Sequence, residues 1–361
     1  MPDTQSITIQ PQSILVITLR FLGDTLLATP LISSLKLAYP NAFIDVLTFK
    51  TNTAMLEGNP DINELIILNN KPKQLDFAKL LISLFRRYDL AISTQAGDRP
   101  VLCAIMAGKI SLGFVTKETG KAWWKKWLLN RWLTFDQDYD HAVLENLRFC
   151  GLLGIKPNYK LTPPHTNAPL PPLPLKPYAV LHIMPQWRYK EWHQEGWQKL
   201  IKYLNQNGVS IVLTGSSQAS EQQSIREIQQ QLAIDVTNLA GQLSLAQLTE
   251  LITNAKLFVG PDTGITHLAA STGAPTFAIY GPTDPKKWAP WPFGYAGNIS
   301  PFLSAGDQNV GNVYLIQGKT DKGCLPCQLE GCDRHRNSQS DCLDNLPPQN
   351  IINIIAPTID A

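Results

Sequence analysis

Asp262, Thr263 and Gly264 follow the short apolar run 256–259 and the breaker pair Gly260-Pro261, so they read as a turn that opens a helix. An Asp or Thr at that point can cap free N–H groups, and Gly264 lets a ligand reach the backbone. The start of a helix carries roughly +0.5 of a charge, which suits an anion such as a diphosphate. His267 falls one turn further on, on the same face, where it either meets that anion or packs in the core. Arg188 and Lys190, in the polar stretch 184–192, are placed to meet a phosphate as well. Thr214-Gly215-Ser216, with Glu221 in the helix behind it, is a further loop of the same kind and suits the hydroxyls of a ribose. Three such loops at one end of one sheet make a nucleotide pocket.

Near the start of the chain, Asp24 follows the apolar run 13–19 with a helix behind it. It is either a helix cap or, if its carboxylate faces the second domain, a general base that takes a proton. Neither G-x-G-x-x-G after Leu19 nor G-x-x-x-x-G-K-[ST] is present, so the two common phosphate-loop fingerprints are missing. Asp136-Gln137-Asp138 resembles a metal-holding acid pair but lacks a preceding buried strand, and it reads as solvated acids. Cys324, Cys327, Cys332 and Cys342 have the spacing C-x2-C-x4-C-x9-C, with His335 among them. In a reducing compartment this is either a structural thiolate site for zinc or iron, or a set of free or redox-paired thiols.

These groups need a scaffold, and the patterning supplies one. Runs 13–19, 42–49, 65–68 and 88–93 read as strands, alternating with helices over 25–39 and 75–87, and 109–114 closes that sheet. The proline-rich stretch 157–177 reads as a semi-rigid linker. Strands over 178–184, 209–214 and 256–259 then alternate with helices over 196–207, 218–232 and 244–255. The expected organisation is an N-terminal βαβ domain over 1–156, the linker 157–177, and a C-terminal domain over 178–361 carrying the cysteine group at 324–342. In such sheets ligands lie beyond the carboxyl ends of the strands, here in a cleft between the domains.

The stretch 121–133, KAWWKKWLLNRWL, sets four tryptophans among four cationic side chains. At helical spacing Trp123, Trp124 and Trp127 share one sector. The stretch is either a membrane-surface or acceptor-docking element, or a helix half buried against its own domain. The length of 361 residues fits two domains, and a net charge of +2 indicates no nucleic-acid partner. The first residues lack a basic and apolar leader pattern, and no apolar run approaches the ~20 residues of a membrane span, so a cytoplasmic protein is expected.

The ordered set ILVITLRFLGDTLLATPLISSLK, RYKEW, LTGSSQASE, LAGQLSLAQLTELI and PDTGITHLAASTGAPTFAIYGPTDP resembles the heptosyltransferases of glycosyltransferase family 9. The resemblance implies a GT-B fold, two facing Rossmann-like domains with the donor bound mainly by the second. It also implies inverting transfer from an ADP-sugar to a glycolipid or glycan acceptor, with no cofactor needed for catalysis. On the matching positions Asp24 resembles the family's base and Lys190 its diphosphate-binding lysine. Glu221 is similar to the acid that meets the ribose, and Asp262, Thr263, Gly264 and His267 match the donor-binding turn. The competing expectations are a nucleotide-sugar epimerase of the same fold, which would need no acceptor, and a non-catalytic sugar-nucleotide-binding scaffold.

Overall fold

The computed structural model describes residues 7–117, 122–136, 140–174 and 177–360. The chain divides into two compact units, Met1–Pro164 with Ala296–Ile299, and His165–Tyr295 with Ser300–Ala361.

In the first unit the order is β1 (Ser13–Thr18), α1 (Leu22–Leu27), α2 (Thr29–Ala38), β2 (Phe43–Phe49), β3 (Glu64–Leu68), α3 (Gln74–Leu84), β4 (Tyr88–Ser93), α4 (Asp98–Ala107), β5 (Gly108–Thr116), α5 (Trp123–Leu128), β6 (Arg131–Phe135) and α6 (Ala142–Leu153). The single helix expected over 25–39 is two helices meeting at Ala28, because Pro30 near the start of α2 has no N–H and its ring excludes a continuous turn. The six strands are all parallel in the order β3-β2-β1-β4-β5-β6, so β6 is the edge strand rather than the run 109–114. The tryptophan-rich stretch thus splits into a helix and a strand. Asn130 makes the break: its side-chain oxygen accepts from the N–H and hydroxyl of Ser111 on β5, which draws the following residues into the sheet. Strand β6 also leads directly into Asp136, which pairs with Lys117 at 2.5 Å; Gln137 and Asp138 lie outside the described residues.

The second unit runs β7 (Tyr178–His182), α7 (Gln194–Gln206), β8 (Ser210–Thr214), α8 (Ala219–Gln230), β9 (Thr237–Asn238), α9 (Leu245–Thr253), β10 (Leu257–Pro261), α10 (Gly264–Ser271), β11 (Thr276–Tyr280), α11 (Pro285–Trp288), β12 (Gln308–Val310), β13 (Val313–Gln317), α12 (Asp341–Asp344) and α13 (Pro348–Asp360). Its sheet has the order β12-β13-β11-β10-β7-β8-β9, parallel except for the β12–β13 hairpin. Setting β12 aside, both sheets repeat one plan: third, second, first, fourth, fifth, sixth. The order reverses between β1 and β4 in one unit and between β7 and β10 in the other. Crossovers there leave to opposite faces, so the carboxyl ends of these strands flank a crevice.

The central strands are buried on both faces, which explains runs such as Ile14-Leu15-Val16-Ile17 and Ala179-Val180-Leu181. The described part of the proline-rich stretch has neither helix nor strand, and the boundary between the units falls within it, after Pro164. Asn158 and Thr162 donate their N–H groups to the hydroxyls of Ser34 and Thr29 on α2. Further on, the Pro169 carbonyl accepts from the Gln247 side chain on α9. Among the described residues no helix is long and apolar enough to cross a membrane.

Candidate active site

In the second unit Gly260 and Pro261 do not break the chain but end β10. Helix α10 then starts at Gly264 with Thr263 as its N-cap, and no side chain caps it. The capping role expected of Asp262 is therefore not what the carboxylate does. It lies 2.6 Å from Lys190 Nζ and accepts a 2.6 Å hydrogen bond from the Thr283 hydroxyl. Burial works to raise this carboxyl, but the Lys190 ammonium and then the Thr283 hydroxyl outweigh it and hold it below the usual carboxylate range. His267, one turn into α10, is buried and pushed down to about 4; burial is the main cause, Lys190 adds to it and Asp262 opposes it. The ring is therefore neutral at physiological pH, and its Nδ1 has no hydrogen-bond partner among the described residues. A neutral imidazole, an ammonium and uncapped helix N–H groups thus share one largely buried corner.

Lys190 is held there by the C-terminal part of the chain. It ends a short 3-10 turn, Arg188–Lys190. The Ser340 hydroxyl donates to the Tyr189 carbonyl at 2.7 Å, the Trp192 indole N–H donates to the Leu346 carbonyl at 3.0 Å, and Arg336 lies over the Trp187 ring. These bracing residues come from the cysteine-bearing segment and the residues just after it, more than a hundred positions away, and spacing alone does not single them out.

The third loop is tighter than its composition suggests. Glu221, in the first turn of α8, accepts from the N–H of Ser216 at 3.0 Å and from its hydroxyl. A Cβ at Gly215 would stand 2.7 Å from Glu221 Oε1, so a larger residue there would displace that carboxylate. Thr214 departs from the expected ligand-facing position. It is buried as the last residue of β8, and its hydroxyl lies 3.3 Å from both the Leu181 carbonyl and His182 Nδ1. His182, which the residue pattern did not single out, ends β7 and is likewise pushed down to about 4 by burial, against an opposing pull from Glu221. A histidine at the carboxyl end of an otherwise apolar strand was the available signal.

In the first unit Asp24 occupies the first turn of α1, but Phe21 is the N-cap and makes no side-chain cap bond, so the carboxylate is not a cap. It lies 3.5 Å from Arg20 Nη1. Two residues absent from the sequence expectations shape this turn. Asn52 donates to the Arg20 carbonyl at 3.0 Å and to Thr25 Oγ1 at 3.2 Å, and Gln95, just beyond β4, accepts from the Leu19 N–H at 2.8 Å. Lys125 of α5 completes the same end of the sheet, reaching the Ala96 carbonyl and Asp98, each at 2.6 Å.

The four clustered cysteines do not assemble as the expected zinc or iron site. All are free thiols, and among the described residues no three His, Cys, Asp or Glu side chains form a group that could hold a metal ion. Cys324 and Cys332 are exposed, whereas Cys342 is buried and its thiol is pushed up to about 12, by burial first and then by Cys327, Cys332 and Cys324. Cys332 Sγ instead accepts the Asp341 N–H at the start of α12.

The sequence profile described as glycosyltransferase family 9 (heptosyltransferase) matches residues 78–302. Lipopolysaccharide heptosyltransferase 3 of Escherichia coli strain K12 is 31% identical over 291 residues, covering 76% of this chain and 83% of the relative. The crystal structure of a family 9 glycosyl transferase from Veillonella parvula superposes with a TM-score of 0.76 at 17% identity, covering 98% of this chain and 99% of that one. Heptosyltransferase WaaC of E. coli with ADP superposes at 0.69, with 19% identity and coverage of 96% and 99%. The architecture is that of these GT-B structures, and the sequence matches assign the activity class: this chain is a glycosyltransferase, a member of glycosyltransferase family 9.

Proposed function

We propose that this enzyme moves a heptose, or a related sugar, from an ADP-sugar to the lipopolysaccharide core or another cell-envelope glycan, with inversion and without a catalytic metal ion. The observation that carries this reading is the Lys190–Asp262 pair at the uncapped start of α10, beside the unpartnered Nδ1 of His267. A leaving diphosphate needs cationic and N–H partners of this kind, preorganised in a site that excludes water. The names of the relatives agree with it: one is a lipopolysaccharide heptosyltransferase, and a solved structure of the same fold is described with ADP.

In this mechanism the acceptor hydroxyl gives its proton to the Asp24 carboxylate as its oxygen attacks the anomeric carbon. The bond from that carbon to the diphosphate oxygen breaks on the opposite face, and the electron pair stays with the phosphate. Lys190, steered by Asp262, and the N–H groups at Gly264 and beyond take up the growing negative charge, the part that Mg²⁺ plays in metal-dependent transferases. Thr263 and His267 complete the contact with the diphosphate. Gly215 and Glu221 meet the ribose, the glutamate exchanging Ser216 for a sugar hydroxyl, while Thr214 shapes the strand end from behind. The second unit then binds the donor and the first serves the acceptor. The enzyme works in the cytoplasm and makes peripheral contact with the inner face of the membrane, where a glycolipid acceptor resides.

Titration calorimetry of the purified protein with ADP, UDP and GDP tests the donor. ADP is expected to bind most tightly; equal affinity for the three diphosphates would overturn the ADP-sugar assignment. Incubation with ADP-heptose, with and without an envelope extract, tests the acceptor. Sugar release that does not depend on the extract would contradict transfer.

A further inference from the structure

Helix α5 is held by one face and presents the other to solvent. Ala122, Trp124 and Leu129 pack with Val101, Val115 and Trp132, so Trp124 does not share the outward sector with its two neighbours. Trp123 and Trp127, one turn apart, are 66% and 78% exposed, and Leu128 beside them is exposed as well. Together with Lys126 the two indoles line an open groove of about 520 Å³. An indole pair left in water is unfavourable, because each ring offers roughly 150–250 Å² for burial. The helix is not a loose appendage. Lys125, on its inner side, grips the Ala96 carbonyl and Asp98 in the turn beyond β4, at the same sheet end as Asp24.

We infer that this face of the first unit docks on an anionic lipid surface, with Trp123 and Trp127 entering the headgroup layer and Lys126 meeting lipid phosphate. The charge pattern selects this occupant. Residues 123–133 include no acid, and Lys126 is the cation that lines the groove with the two indoles, Lys125 being turned inward to Asp98. Lys126 holds its ammonium 4.9 Å from the Trp132 ring, which packs on the inner side of the helix. Two nearby acids are matched by lysines: Asp98 by Lys125 and Asp136 by Lys117. Trp and Lys side by side on a short amphipathic helix suit the boundary between headgroups and acyl chains. The inference deepens the reading of a membrane-borne glycolipid acceptor, since docking would bring the Asp24 end of the sheet toward the layer in which that acceptor sits.

Flotation of the full-length protein with vesicles tests this, using phosphatidylcholine alone and phosphatidylcholine mixed with phosphatidylglycerol. Binding is expected only to the anionic vesicles, with a blue shift of tryptophan emission. The double variant Trp123→Ser/Trp127→Ser is expected to lower the partition at least about tenfold. Lys126→Glu should lower it by about fivefold or more. Leu75→Ser/Ile82→Ser, which removes exposed apolar side chains of α3, should leave it unchanged. Matching thermal melts and ADP titrations show that each variant is folded and that the donor site is intact. Wild-type partition by the Trp double variant overturns the inference, as does loss of binding only in the α3 variant. So does a dimer in size-exclusion chromatography that the Trp substitutions dissociate, because the groove would then seat a second copy. Tight ADP binding without vesicle binding would sink the docking surface and leave the donor reading intact.

Discussion

The two units repeat one strand order and each carries an acid–base pair beyond the carboxyl ends of its strands, yet the pairs differ in kind. Arg20–Asp24 spans 3.5 Å with side chains 40% and 19% exposed, whereas Lys190–Asp262 spans 2.6 Å with side chains 19% and 7% exposed. Water reaches the first pair more than the second, so the Arg20–Asp24 attraction is the more screened of the two. The second is shielded and reinforced by Thr283, so its ammonium is held in one place. The roles proposed for them, a base that picks up and releases a proton and a fixed cation for a diphosphate, match these two environments. The shared fold supplies position; burial decides what each carboxylate can do.

The largest expected effect tests the first half of this comparison. Asp24→Asn keeps the shape of the turn but cannot take a proton, so transfer should fall by about 10²- to 10⁴-fold while ADP affinity changes little. Retained transfer, measured alongside calorimetry, would mean that the base is elsewhere. Next comes a direct contrast in stability. Asp262→Ala leaves Lys190 without its buried partner and should cost about 3 kcal/mol or more in urea unfolding, whereas Arg20→Ala, at an exposed pair, should cost less than about 1 kcal/mol. Equal costs would erase the distinction drawn between the two pairs.

Acid provides the finest test of the second corner. The folded His267 has a pKa of about 4 against an ordinary value of 6.5. As pH falls below 6.5 the unfolded chain takes up the proton first, so this contribution is complete above that value and is lost progressively toward pH 4. It amounts to about 3 kcal/mol at most. Asp262, held below its ordinary value, adds a loss at still lower pH, as the pH falls through its folded pKa. Urea midpoints taken from neutral pH to mild acid should fall in the wild type and flatten in part in His267→Gln. An unchanged slope in the variant would show that the imidazole is not the buried neutral group described here.

Much of the fold was legible because both sheets are built from buried parallel strands, which leave near-continuous apolar runs separated by polar junctions. The junctions themselves were legible for the same reason, since polar residues that interrupt such runs mark the strand ends. Legibility failed where a local signal was outvoted by a distant partner. Gly260-Pro261 looks like a break, yet the parallel pairing of Val259 with Phe277 and Pro261 with Ile279 carries β10 through it. The tryptophan-rich stretch looks like one helix, yet Ser111 captures Asn130 and turns the remainder into β6. Four cysteines at metal-like spacing are divided between surface and interior.

By itself, the sequence determined which residue types meet at the strand ends and to which family the chain belongs, because both are properties of order along the chain. Only the tertiary structure decided that Asp262 serves Lys190 rather than a helix cap, that Thr214 turns inward, and that Trp123 and Trp127 face out while Trp124 does not. Those outcomes depend on burial and on partners remote in sequence, such as Thr283, Ser340 and Leu346. Spacing along the chain does not encode the contacts or the dielectric environment that folding creates.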